Sequence, residues 1–105
     1  MPNELRDLIA RYAQAISARD LAAIRAVYPR LTDEQQRGFE KFFASTTELK
    51  ATLSLGNIEV NEATAEGRVT GIYAFTSSGR SEQQALNFRA VFERRGDKWF
   101  LSSVK

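Results

Sequence analysis

The 105-residue chain contains no cysteine and no histidine. The first absence removes disulfides, thiolate nucleophiles and thiolate metal sites together. The second removes the side chain best suited to proton transfer near neutral pH, and with it a serine triad. No Gly-x-Ser-x-Gly elbow exists, and the six glycines are scattered at turns and bends rather than gathered in a phosphate loop. No compact acidic loop has calcium spacing, so no metal, cofactor or catalytic residue is expected. Apolar runs reach only a few residues, as in Trp99-Phe100-Leu101, whereas a membrane span needs about 20. No sign of charge dominates: 15 Lys and Arg against 13 Asp and Glu leave a net +2. The first 45 residues mix seven bases with six acids, the pattern of a solvated surface and not of a nucleic-acid partner's footprint.

What is present reads as one ordinary globular domain over residues 1–105, long enough for a single core. The start, Met1-Pro2-Asn3-Glu4, has no basic-then-apolar leader, and the abrupt end at Lys105 is what a piece of a larger protein would show. The compartment stays open: cytoplasmic by default, or an exported domain of a membrane-anchored parent.

The hydrophobic rhythm changes near residue 46. Leu5, Leu8, Ile9, Tyr12, Ala13 and Ile16 follow the spacing of one helix face, with Asn3 as its cap. Asp20 caps a short second helix carrying Leu21, Ile24, Val27 and Tyr28, which Pro29 stops. Thr32-Asp33-Glu34-Gln35 matches a capping box for a third helix with Phe39, Phe42 and Phe43 as its stripe. After residue 48 the period is two. Leu49, Ala51, Leu53 and Leu55 alternate with polar residues, and Gly56-Asn57 interrupts them as a bulge or bend. Asn61–Thr64 is the reversal into a strand with Val69, Gly71, Tyr73 and Phe75 on one face and Arg68, Thr70 and Ile72 on the other. Gly71 in mid-strand predicts a bend or a close approach. Leu86, Phe88, Ala90 and Phe92 face inward on the third strand, with Arg89 and Val91 outward. A two-residue Gly96-Asp97 loop sets Phe92 opposite Leu101 and Arg94 opposite Trp99; a three-residue loop would put Phe100 inside instead.

The predicted fold is therefore α+β. Three N-terminal helices pack on one face of a curved antiparallel sheet of four strands, more if broken at Gly56, enclosing a cone. The Ala18-Arg19-Asp20 turn into Leu21, the Tyr28-Pro29 break and the Gly96-Asp97-Lys98-Trp99 hairpin together resemble the nuclear transport factor 2-like superfamily. That superfamily includes SnoaL-like cyclases, ketosteroid isomerase and short versions at the ends of bacterial kinases. The resemblance implies a cone between helices and sheet and, in many members, dimerisation through the outer sheet face. It implies no single activity, and the histidine–aspartate pairing of its dehydratase-like members has no counterpart in a chain without histidine.

Two roles follow as expectations. In the first, the chain is a non-catalytic ligand-binding or sensory module. Its pocket would be lined by Tyr12, Tyr28, Phe39, Phe43, Tyr73, Phe75 and Phe88 and would take a small apolar or anionic ligand. In the second, it is a homodimerisation or partner-domain module using Ile72, Arg89, Val91, Phe100 and Val104 on the outer sheet face. A small lyase or isomerase is the third reading, and it requires an Asp or Glu deep in the cone.

Overall fold

The structure, a computed structural model, describes residues 3–104, apart from the Asn3 side chain, so the expected Asn3 cap lies outside the described part. Three helices precede four strands: α1 (Asn3–Ser17), α2 (Leu21–Val27), α3 (Asp33–Ser45), β1 (Thr47–Asn61), β2 (Thr64–Ser77), β3 (Arg80–Arg95) and β4 (Lys98–Val104). The strands form one antiparallel sheet in the order β1-β2-β3-β4, an α+β architecture with its helices on one sheet face.

Local chemistry sets the helix boundaries. The Asp20 carboxylate accepts from the Ala23 N–H at 3.1 Å and starts α2. Thr32 and Gln35 close a reciprocal capping box at the start of α3, satisfying two otherwise orphaned N–H groups. Pro29 follows α2, which ends at Val27.

Two-residue loops set the register. Ser77 pairs with Arg80 around Ser78-Gly79, both at positive φ, the pattern of a type I′ hairpin. Arg95 pairs with Lys98 around Gly96-Asp97, with only Gly96 at positive φ. Phe92 accordingly faces Leu101 and Arg94 faces Trp99. The interruption at Gly56-Asn57 is a bulge, with Asn57 left-handed at φ 51° and the ladder resuming at Glu59, so the sheet keeps four strands.

A single core joins the α1 stripe, Ile24, Val27, Tyr28 and Leu31 to Leu49, Leu55, Ala65, Val69, Ala90, Phe92 and Leu101. Each fully buried Leu, Ile or Phe in it contributes about 1.5–3 kcal/mol. One expectation fails here. Val104 lies on the inner face, opposite the buried Ala90, because Ser102 is an extra residue in β4 that reverses the alternation after Leu101. A period-two reading carried straight through the strand misses that reversal.

Candidate functional site

Between the helices and the sheet lies an open cleft of about 380 Å³. Tyr12 of α1 contributes to it together with Tyr28 and Leu31, which follow α2. Gln35, Gly38, Phe39 and Phe42 of α3 form one wall. Tyr73 of β2, Gln84 of β3 and Val104 of β4 complete it from the sheet. Tyr73 and Gln84 are direct cross-strand partners, so their side chains leave the sheet together.

Of the residues expected to line a pocket, Tyr12, Tyr28, Phe39 and Tyr73 meet in this cleft. Phe43, Phe75 and Phe88 do not line it. They are half-buried and pack against the core. Phe43 stacks on Phe39 with ring centroids 5.7 Å apart, and Phe75 meets Phe42 edge-on at 5.2 Å. Phe88 lies opposite Val69, a residue with no exposure at all. The cleft-facing strip of α3 is 35, 38, 39 and 42, one helical face on which residue 43 falls at the margin.

Leu31, Gln35, Gly38, Phe42, Gln84 and Val104 are lining residues that sequence reasoning did not select. Gln84 had a usable signal, since a two-residue Ser78-Gly79 loop places it opposite Tyr73. Gln35 was absorbed by its capping role, which it keeps while lining the cleft.

Among the described residues no lining residue is charged. The polar groups are three phenols and two amides. Tyr12, Tyr28 and Tyr73 line the cleft, and among the described residues no hydroxyl of theirs is both sealed from solvent and without a hydrogen-bond partner. Burial is the main cause that raises Tyr12 well beyond the ordinary phenol range, with the neighbouring Tyr73 and Tyr28 adding to it. Burial also raises Tyr73 to about 12. Both are therefore neutral donor–acceptors at physiological pH. Among the described residues no Asp or Glu is buried and no group of His, Cys, Asp or Glu is placed to hold a metal.

On the outer sheet face Ile72 and Arg89 are exposed and Val91 is half-buried. Phe100 is half-buried too, with the Arg95 guanidinium 5.7 Å from its ring centre. Val104, expected there, belongs to the cleft. Among the described residues no helix is long and apolar enough to cross a membrane.

No protein-family model matches the sequence, and no curated protein matches it. Solved structures match its fold. A protein of Streptomyces avermitilis, named as a candidate dehydratase of the NTF2-like family, has a TM-score of 0.81 at 16% identity, covering 97% of this chain and 92% of its own. An NTF2-like protein of unknown function from Shewanella oneidensis has a TM-score of 0.74 at 16% identity, covering 99% and 97%. A protein of Thiobacillus denitrificans, named as a candidate calcium/calmodulin-dependent protein kinase type II association domain, reaches 0.71 at 14% identity, covering 92% and 88%. Likeness at such identities carries architecture and not activity. The chain has the fold of the nuclear transport factor 2-like superfamily.

Proposed function

We propose that this chain is a non-catalytic ligand-binding or sensory module. Its cleft takes an uncharged, largely aromatic small molecule bearing a hydroxyl or carbonyl group. The observation that supports this most directly is the set of three tyrosines lining an aromatic cleft in which no described lining residue is charged. Aromatic walls favour a flat apolar body, and the phenols and amides orient one polar end. Among the described lining residues no cation stands ready to meet an anionic ligand, so a neutral ligand fits them better than an anionic one. A lyase or isomerase would need a carboxylate base, and none of the described lining residues is one.

Thermal shift and calorimetric titration with neutral hydroxylated bicyclic aromatics, beginning with 2-naphthol and with 2-naphthoate as the anionic control, test this reading. Saturable binding of 2-naphthol, weakened severalfold by Tyr73→Phe, is expected. Preference for the carboxylate, or no saturable binding across the neutral panel, overturns it.

A second and compatible reading is self-association through the outer sheet face, and one observation favours it. Arg68 stands directly opposite Arg89, and in the adjoining row Glu59 stands directly opposite Glu66. Like charges so placed repel, and among the described residues none of the four is in an ion pair. A two-fold axis through this face would lay the basic row of one copy over the acidic row of the other. Ile72, at 43% exposure, is an apolar contact available on β2 of the same face.

A further inference from the structure

We propose that α3 is a hinged lid that swings over the cleft and that a bound ligand holds shut; this rests on the reading of the cleft as a ligand site. The three helices are anchored very unequally. α1 buries Leu5, Leu8, Ile9, Tyr12, Ala13, Ala15 and Ile16, and its Ser17 Oγ accepts a 2.8 Å hydrogen bond from the Ala51 N–H of β1. α2 buries Ile24 and Val27. α3 buries no residue.

Among the described residues, α3 makes no hydrogen bond or ion pair to the sheet. Its apolar contacts are only half-buried: Phe39, Phe42 and Phe43 pack against the core, and the Phe42 ring centre lies 5.7 Å from that of Tyr73 and 5.2 Å from that of Phe75. A second tie runs to α2, where the Arg25 Nε donates to Gln36 Oε1 at 2.8 Å.

The residues flanking the helix are held firmly. Leu31 is 5% exposed and Thr46 4%. The Thr46 hydroxyl donates to the Phe42 carbonyl at 2.7 Å. Thr32 and Thr46 are both in extended conformations, the element-terminal positions where a rotation is absorbed. The capping box closes the N-terminal turn on itself, so the helix moves as a unit instead of fraying. Gly38 faces the cleft, and a Cβ built there meets nothing within 4 Å. That gap leaves room for inward travel.

Local opening is easiest where few apolar groups are buried and few bonds cross to the rest of the fold. A ligand touching Phe39 and Phe42 on one side and Tyr73 and Gln84 on the other binds the closed arrangement better. It therefore shifts the population toward closure.

Hydrogen exchange read by mass spectrometry on the full chain tests the lid, with and without 2-naphthol. Without the compound, amides of α3 are expected to exchange about tenfold or more faster than those of α1. Phe42→Ala should quicken α3 further while leaving α1 unchanged, and 2-naphthol should slow α3 selectively. The comparison within the unmutated chain stands even if the variant folds poorly. If α3 is as protected as α1, the lid is overturned while the ligand reading survives. If 2-naphthol binds by calorimetry without slowing α3, closure is overturned. If α3 exchanges fast and nothing in the neutral panel binds, the ligand reading falls and the gating role with it.

Discussion

Leu53 of β1 stands directly opposite Gly71 of β2, so close that a Cβ at Gly71 would lie 2.9 Å from the Leu53 Cδ2 and 3.0 Å from its Cα. The same Cβ would lie 2.0 Å from the Thr52 carbonyl oxygen. That oxygen is main chain, and no rotamer change relieves the clash. Gly71→Ala is therefore expected to destabilise the fold by about 1–3 kcal/mol or more, since a strand has to shift. Gly56→Ala is the control, because a Cβ there meets nothing within 4 Å. Urea denaturation followed by circular dichroism compares the two. Equal midpoints would show that the β1–β2 approach at Gly71 is looser than described.

The same glycine illustrates how far the sequence could be read. A lone glycine within an alternating strand signals close approach, and close approach is what occupies that position. The helix caps at Asp20 and Thr32 and the Gly96-Asp97 loop were equally legible, because each depends on side chains within a few residues of one another. The candidate site was less so. Tyr12 and Tyr73 could be found from their faces, but Gln84 required the register that the Ser78-Gly79 loop imposes. Val104 depended on the extra residue at Ser102, which no local preference announces. Phe75 and Phe88 have the correct inward phase, yet Phe75 packs on the Phe42 ring and Phe88 against the core, outside the cleft lining. Which inward residues meet open space is decided by tertiary packing, not by periodicity.

The cleft should also make the protein sensitive to alkali. Burial raises Tyr73 to about 12, and burial followed by the charges of Tyr73 and Tyr28 raises Tyr12 further. An unfolded phenol ionises near pH 10. Above that pH the unfolded chain has fewer bound protons than the folded one, so stability falls as pH rises. The contribution is complete below about pH 10 and is lost as pH climbs through the folded values. Each tyrosine adds a slope of at most about 1.4 kcal/mol per pH unit. Tyrosinate absorbance should rise together with loss of helical circular dichroism, and Tyr73→Phe should move that transition to higher pH. Full tyrosinate formation near pH 10 in a chain that remains folded would contradict the burial of these rings.

The charge rows on the outer face give the most decisive test of self-association. Arg68 and Arg89 form one like-charged pair and Glu59 and Glu66 the other. Among the described residues the Arg68 guanidinium donates to the neutral Asn87 Oδ1, at 2.5 Å, and to no carboxylate. If a second copy supplies the missing counter-charges, reversing one row should repel that copy. Arg68→Glu with Arg89→Glu, and separately Glu59→Lys with Glu66→Lys, should each weaken self-association at least about tenfold. Each variant then presents four charges of one sign to another copy of itself, while the two variants are complementary to each other. Mixing them should restore a dimer, now made of unlike chains, and sedimentation velocity in low salt reads all three samples. Recovery in the mixture cannot come from misfolding, because two misfolded chains would not regain a defined stoichiometry. A wild-type chain that stays monomeric at high concentration, or variants that associate as tightly as wild type, would remove the outer face as a self-pairing surface.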